Sequence, residues 1–420
     1  MEGFFSPQGI AIFGVSSNPK NVARAVLQNL SSCRYQGTVV GIGSKRNSFL
    51  GFEIYSSIDD VDEPIDLAVI VTPAPSIIPI FQECQRKGIT RAVIMTSGFK
   101  ELKGSGDQLS KDLVKAAQDM NLRFIGPNCQ GVINTATGLC LPFGLFPPGK
   151  LKRGDISLIT QSGSICWMGS LYLSHEIAGV NKVVSIGNKM NVDEVDALTY
   201  LLEDDTTRLI VLHLESTENG RVLFEILARS TKPVILFKTQ ISPEGHPVAF
   251  SHTAALADDD TIIEGVSRQA GVMRATTFRE MIEMAKALSL PSIRGKSLGI
   301  VSASGGVAIM AADTCERQGM KLATLPAECL DKIRDLPKAK VINITNPVDT
   351  GNIYDSRANY EAMKMIINLD DVDGGILSQF HPATGDYFEK HSVEEIVKEA
   401  SALSWEAKKP IALHFLCDPL

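Results

Sequence analysis

Gly9-Ile10-Ala11-Ile12-Phe13 runs directly into Gly14-Val15-Ser16-Ser17-Asn18-Pro19, and an amphipathic stretch begins near Val22. A short apolar run closed by glycine and small polar residues reads as a buried strand entering a tight turn. The 3.6-residue periodicity that follows reads as a helix. The same unit recurs, with strands expected over 38–42, 67–71, 92–95 and 123–125, and helices over 76–87 and 107–120 alternating with the later ones. That alternation predicts a parallel, doubly wound α/β sheet.

In such sheets ligands sit at the carboxyl ends of the strands. Those ends carry Gly14-Val15-Ser16, Gly43-Ser44-Lys45, Thr72-Pro73-Ala74, Thr96-Ser97-Gly98-Phe99 and Gly126-Pro127-Asn128. The residues are mostly small or polar, Lys45 adds a positive charge, and helix N-termini with free amides lie beside them. This is the setting of a phosphate-bearing cofactor. NAD is not indicated, because GxGxxG is absent and no acidic residue closes the second strand. Tight turns alone also call for small residues, an alternative that suits any single loop better than all of them together.

A second region follows the connection Pro142-Phe143-Gly144-Leu145-Phe146-Pro147-Pro148-Gly149. A strand over 156–159 enters Thr160-Gln161-Ser162-Gly163-Ser164 and then a helix with Trp167 and Met168. A strand ending in Gln-Ser-Gly at a helix start forms an amide-lined anion pocket. The rival reading, a serine nucleophile, lacks the GxSxG elbow and a partner pattern. Further strands are expected over 183–186, 209–214 and 233–237, with a helix over 193–202. Strand 209–214 ends in Glu215-Ser216, and Lys238 precedes the loop holding Phe250-Ser251-His252-Thr253-Ala254-Ala255. Imidazole is largely neutral and nucleophilic near pH 7, so His252 is suited to accepting and passing on a phosphoryl group. A carboxylate on its Nδ1 would fix the tautomer and steady the phosphorylated ring. Glu215 is the candidate, with Glu218 its competitor. The plainer alternatives are that Ser251 and Thr253 cap a helix over 259–269, leaving His252 exposed, and that Glu215 is a solvated loop residue.

A third region begins after the linker-like Leu290-Pro291-Ser292-Ile293-Arg294-Gly295. A strand over 297–301 leads into Ser302-Ala303-Ser304-Gly305-Gly306 and a helix over 307–318. Later landmarks are Ile344-Thr345-Asn346-Pro347-Val348-Asp349, an apolar run at 374–377 and a last strand at 410–416. This is a flavodoxin-like alternation. The chain stops soon after that strand, so the domain is expected to be truncated or completed by a partner.

Composition sets the outer bounds. The chain has 420 residues, enough for two or three domains, and its 44% hydrophobic and 21% charged content describes a folded globular protein. A net charge of −7 argues against a general nucleic-acid surface. The 8 cysteines form no CxxC pair, which predicts reduced thiols. No basic-then-apolar leader and no membrane-length apolar run are evident, so a soluble, cytoplasmic protein is expected.

Taken in order, several stretches together resemble the α subunit of the NDP-forming acyl-CoA synthetases. These are the acetate–CoA ligases (ADP-forming), relatives of the succinyl-CoA synthetase α subunit. The stretches are Gly126-Pro127-Asn128-Cys129-Gln130-Gly131, Thr160-Gln161-Ser162-Gly163, Gly187-Asn188-Lys189, Leu214-Glu215, Ser251-His252-Thr253 and Asn346-Pro347-Val348-Asp349. The resemblance implies three doubly wound units. A Rossmann-like CoA-binding domain over 1–134 comes first, then a succinyl-CoA-ligase-like flavodoxin domain with the phosphohistidine loop over 147–289. A second ligase-like flavodoxin domain follows over 295–420.

It further implies that His252 is transiently phosphorylated and that Glu215 steadies it. CoA would lie on the first domain, with Gly14, Ser16 and Lys45 near its phosphates and Pro73, Ser97 and Gly98 along the same rim. Asn128, Gln161, Ser162 and Gly163 would form the acyl-phosphate pocket. The implied reaction joins a small carboxylic acid to CoA with ATP, giving acyl-CoA, ADP and phosphate. The ATP-grasp nucleotide domain, with its Mg, would come from a separate β subunit or a fused extension, making a hetero-oligomer. No metal ligands, nucleic acid or membrane partner are implied for this chain. Ala254 and Asp258 stand where the family usually has glycine, Gln130 where it has an apolar residue, and the first loop lacks its glycine near Asn21-Val22. A non-catalytic CoA- or acyl-CoA-binding paralogue of the same fold is the alternative.

Overall fold

Strand β1, Gly9–Val15, has β2, Thr38–Gly43, on one side and β5, Leu67–Ile70, on the other, so the chain reverses its winding at β1. That is the topological switch point of an open α/β sheet. The computed structural model describes residues 1–102, 105–176, 179–239, 259–289, 292–336, 343–350, 356–381 and 393–417. They divide into one unit over Met1–Ser289 and another over Leu290–Leu420.

The first sheet is completed by β3, Asn47–Phe49, β4, Phe52–Tyr55, β6, Arg91–Ile94, and β7, Arg123–Ile125, in the order β3-β4-β2-β1-β5-β6-β7. Only β3 is antiparallel to its neighbour. Its helices are α1, Glu2–Phe5, α2, Val22–Ser32, α3, Ile77–Arg86, and α4, Ser105–Asp119. Every residue of β5 is buried, as expected of a central parallel strand covered on both faces. Helix α2 turns Ala23, Val26, Leu27 and Leu30 inward, the i, i+3, i+4, i+7 stripe that its sequence predicts.

The second sheet holds β8, Gly131–Asn134, β9, Leu139–Cys140, β10, Arg153–Thr160, β11, Val180–Ser185, β12, Leu209–Leu214, β13, Val234–Lys238, and β14, Met273–Ala275. Its order is β14-β13-β12-β10-β11-β8-β9. The parallel strands alone run in the flavodoxin-like order 2-1-3-4-5. Helices α5, Gly163–Glu176, α6, Glu194–Glu203, α7, Gly220–Ala228, α8, Asp260–Ala270, and α9, Phe278–Ser289, accompany them. The β8–β9 hairpin pairs antiparallel with β11. The chain changes sheets soon after β7, and residue 134 closes β8.

The first two sheets share a hydrophobic core. Phe5, Ile10 and Leu27 belong to the same buried cluster as Ile159, Val184 and Leu212. The loop after β11 lies along the edge of β7: Val192 N–H donates to Phe124 O at 3.1 Å, Met190 N–H to Gly126 O at 3.2 Å and Asn188 N–H to Pro127 O at 2.9 Å. Gly187 makes this approach possible. Its φ is 56°, and a β-carbon there would lie 2.3 Å from Pro127 O. The carboxyl ends of β7 and β11 are thereby held together.

The second unit contains β15, Ser297–Ser302, β16, Lys321–Leu322, β17, Asn343–Ile344, β18, Val348–Asp349, β19, Gly374–His381, and β20, Ile411–Cys417. Helices α10, Gly305–Arg317, α11, Ala327–Arg334, α12, Ser356–Ile367, and α13, Val393–Ala407, pack with them. Strands β16 and β18 pair with one end each of β15, while β19 and β20 follow in parallel. Asn346 joins the first strands: its Nδ2 donates to Leu298 O at 2.7 Å and Ala323 O at 2.8 Å, and its Oδ1 accepts Ile300 N–H at 3.0 Å. No helix among the described residues is long and apolar enough to cross a membrane.

Candidate active site

The loop between β1 and α2 is organised by Asn21. Its Nδ2 donates to Gly14 O at 3.0 Å, and its Oδ1 accepts Ser16 N–H and the cap amide of Arg24, each at 3.3 Å. Gly14, at φ 98°, packs against Val71 and Thr72, where a side chain would crowd the next strand end. Ser16 and Lys45 are exposed on loops leaving the adjacent strands β1 and β2. Arg24 and Arg46 join them in basic charge, which sequence reading missed. The Arg24 guanidinium lies 3.8 Å from the Phe49 ring centroid and that of Arg46 5.3 Å from the Tyr55 ring centroid. Aromatic faces support these cations while leaving donors for an anion. Pro73 and Ser97 are exposed, and Gly98 N–H donates to Glu101 Oε1 at 2.6 Å. Thr96 Oγ1 donates to Thr72 O at 2.6 Å, which ties the ends of β5 and β6 together.

On the second sheet, Ser162 closes the start of α5. Its N–H donates to Thr160 Oγ1 at 3.1 Å and its Oγ accepts Ile165 N–H at 3.5 Å. The amides of Gly163 and Ser164 begin the helix and have no intrahelical acceptor, which makes this end electropositive. The Gln161 carboxamide is engaged with the neighbouring strand end. Its Oε1 accepts the N–H groups of Glu215 at 2.9 Å and Ser216 at 3.1 Å, and its Nε2 donates to Ser216 Oγ at 3.0 Å. The side chain fastens the end of β12 to the end of β10.

Glu215 is 9% exposed, so it is no solvated loop residue. Its carbonyl accepts the ammonium of buried Lys238 at 2.7 Å, which also donates to Thr239 O at 2.7 Å. Glu218, by contrast, reaches Lys100 at 3.8 Å on the surface. Below Glu215 lies His213, 1% exposed, between Thr160 Oγ1 at 3.1 Å and Thr239 Oγ1 at 3.4 Å. Burial, and then the nearby Lys238 charge, hold its pKa down at about 3, so this imidazole is neutral.

Asn128 stands at the junction of the two sheets. Its N–H donates to Thr96 O at 2.9 Å and its Nδ2 to Asn188 Oδ1 at 3.3 Å, while Asn188 Nδ2 donates to Glu101 Oε2 at 2.7 Å. Beside it, Lys189 Nζ donates to Glu194 Oε1 at 2.9 Å and Oε2 at 3.0 Å, and to Ser216 O at 2.8 Å. Both side chains of this pair are 1% exposed. Glu194 was not singled out in the sequence, where it reads as an ordinary first-turn acid of a helix. The predicted residues Asn128, Gln161 and Glu215 thus belong to one connected hydrogen-bonded framework, whereas Ser16, Lys45, Pro73 and Ser97 remain exposed around the first sheet's carboxyl ends. A groove of about 680 Å³ lies between α4 and Glu218, with Lys100, Lys111 and Lys115 on its walls.

His252, Ser251 and Thr253 lie outside the described residues. Helix α8 is capped by Asp259, whose side chain accepts Thr261 N–H at 2.8 Å. The cap proposed for Ser251 and Thr253 is therefore filled by another residue, one that immediately precedes the helix as capping geometry requires.

Residues 8–135 match the family described as a CoA binding domain, and 153–288 that described as a succinyl-CoA ligase like flavodoxin domain. The chain is 33% identical over 378 residues to the α subunit of acetate–CoA ligase [ADP-forming] II of Pyrococcus furiosus, covering 89% of this chain and 81% of that one. It is 36% identical over 353 residues to acetate–CoA ligase [ADP-forming] of Methanocaldococcus jannaschii, a match that covers 82% of this chain and 48% of the relative. The chain thus spans about half the length of that curated relative. Among solved structures, dinucleotide forming acetyl-coenzyme A synthetase 1 of Ca. Korarchaeum cryptofilum, in complex with phosphate and ADP, is similar over 99% of this chain and 88% of its own, with a TM-score of 0.85 and 27% identity. By sequence and by fold, the chain belongs to the family of ADP-forming acetate–CoA ligases and their α subunits.

Proposed function

We propose that this chain is the α subunit of an ADP-forming acyl-CoA synthetase. It would interconvert a carboxylic acid, CoA and ATP with acyl-CoA, ADP and phosphate, passing through an acyl phosphate and a phosphohistidine at His252. The observation that carries the proposal is the junction at Asn128 and Asn188. It joins the carboxyl ends of the two sheets, which supports a CoA rim on the first and an anion pocket on the second serving one reaction centre.

A carboxylate and a thiol do not condense unaided, because the leaving group would be hydroxide. Activation as an acyl phosphate provides a better leaving group, and the thiol then displaces phosphate. In this reading Gly14, Ser16 and Lys45, supported by Arg24 and Arg46, hold the phosphates of CoA. Pro73, Ser97 and Gly98 line the path toward Asn128. The first amides of α5, at Gly163 and Ser164, stabilise the phosphoryl group while it is transferred. Ser162 and Gln161 set the geometry of that pocket. Glu215 would accept a hydrogen bond from His252 Nδ1, leaving the other ring nitrogen to carry the phosphoryl group.

The nucleotide reaction belongs to an ATP-grasp β subunit, which would hold ATP with Mg and complete a hetero-oligomer working in the cytoplasm. Residues 1–134 would form the CoA domain, 147–289 the phosphohistidine domain and 295–420 the second ligase-like domain. Co-expression with such a subunit, followed by a panel of small acids, tests the proposal. CoA-dependent release of phosphate from ATP with at least one acid is expected. CoA binding without turnover or phosphorylation would favour a non-catalytic acyl-CoA-binding paralogue.

A further inference from the structure

Gln130 lies between the junction loop and the start of α5 and is only 9% exposed. Its backbone N–H donates to Ser185 Oγ at 3.0 Å, and its Oε1 accepts Phe143 N–H at 3.1 Å. An amide N–H needs an oxygen acceptor, so the Phe143 bond fixes which end of the carboxamide is which. The Nε2 end rests against Gly163. A β-carbon at that glycine would stand 3.0 Å from Gln130 Cγ and 3.3 Å from Nε2. Among the described residues Nε2 has no hydrogen-bond partner.

The side chain has little room to turn elsewhere. Its acceptor lies in a loop held by buried Asn29, whose Nδ2 donates to Pro142 O at 2.6 Å and Gly144 O at 2.9 Å, and whose Oδ1 accepts Phe146 N–H at 3.1 Å. Trp167 Nε1 donates to Leu145 O at 3.1 Å, closing the same loop over α5. Nε2 is not sealed off, since the fully buried unpartnered side-chain atoms among the described residues are Asp155 Oδ1, Arg274 Nε and Asn359 Oδ1, so an incoming acceptor can reach it. The place it faces is the electropositive start of a 14-residue helix.

We infer that Gln130 is a substrate-contacting residue, its Nε2–H donating to an anionic oxygen held at the N-terminus of α5. The oxygen belongs to phosphate or to the carboxyl group being activated. This rests on the reading of that pocket as the acyl-phosphate site, and adds a neutral side-chain donor to its backbone amides. A linear apolar side chain at 130 fills the same space without the donor. Glutamate keeps the acceptor for Phe143 N–H and replaces the donor with a charge of the wrong sign.

Titration calorimetry on the full chain with inorganic phosphate, acetate and acetyl phosphate tests this, with CoA as the control ligand. Gln130→Met should weaken oxyanion binding about 10-fold, the scale of one hydrogen bond to a charged group. Gln130→Glu should weaken it further at pH 8 and recover part of the loss at pH 5, where a protonated carboxyl can donate. CoA affinity should stay unchanged in both variants. A loss confined to phosphate or to acetate supports the inference and identifies the oxygen concerned. Wild-type oxyanion affinity in both variants overturns the inference alone, as does an equal loss of CoA affinity. A wild-type chain that binds CoA but none of the oxyanions overturns the pocket reading along with it.

Discussion

Replacing Lys189 by methionine should destabilise the first unit severely, in a way that depends on pH. Lys189 and Glu194 are paired with both side chains 1% exposed, and Lys189 also holds Ser216 O at 2.8 Å. Removing one partner of such a pair strands the other charge, at a typical cost of about 3–5 kcal/mol. That is a large share of the ~5–15 kcal/mol by which domains are usually stable. Burial already pushes the Glu194 carboxyl above its ordinary range, against the opposing charge of Lys189. Without the lysine it should rise further and take up a proton when folded. A group with a raised folded pKa contributes stability below its unfolded value, here 4.5, that is lost as pH rises through the folded value. The Lys189→Met penalty should therefore grow between pH 5 and pH 8, by up to about 1.4 kcal/mol per unit. Urea denaturation of wild type, Lys189→Met, Glu194→Leu and the double variant measures this. The double variant should be more stable than Lys189→Met, since no charge remains buried alone. A single variant within about 0.5 kcal/mol of wild type, or a penalty independent of pH, would refute the reasoning.

Other consequences follow from neighbouring groups. His213 has its folded pKa lowered to about 3 from 6.5, so its contribution is intact above 6.5 and is lost as pH falls toward the folded value. His213→Gln should flatten the acid limb of the stability curve by up to about 1.4 kcal/mol per unit in that window, and an unchanged limb counts against the assignment. Gln161→Ala removes the acceptor for Glu215 and Ser216 N–H. We expect about 2–3 kcal/mol of destabilisation in urea and a larger fall in phosphorylation rate than in CoA affinity. Asn29→Ala releases the loop over α5 and should lower stability by about 3 kcal/mol, read as a drop in Tm; a change within about 0.5 kcal/mol contradicts that role.

Much of the fold was written in local patterns. The run 9–13 ending at Gly14 and the strand 209–214 ending at Glu215 announce themselves, because parallel strands buried on both faces are continuous apolar runs. The β3–β4 and β8–β9 hairpins were not legible. Asn47–Phe49 is polar and at an edge, and Gly131–Asn134 joins the second sheet only through its distant partner β11. Of the site, the position of Glu215 and Gln161 at strand ends could be read from the sequence. That Gln161 spends its amide on the β12 backbone could not, since it depends on the register of β10 against β12. The pairing of Lys189 with Glu194 was hidden for a similar reason. It needs the loop after β11 to fold back along β7, a long-range contact with no periodic signature.

The central claim is that His252 carries the phosphoryl group, and labelling tests it most directly. The chain is incubated with the proposed ATP-grasp subunit and ATP labelled at the γ-phosphate, and the protein-bound label is tested for stability in acid and alkali. An acid-labile, alkali-stable phosphate is predicted, absent from His252→Ala and retained when the other histidines are replaced singly. Label that persists in His252→Ala would contradict the assignment.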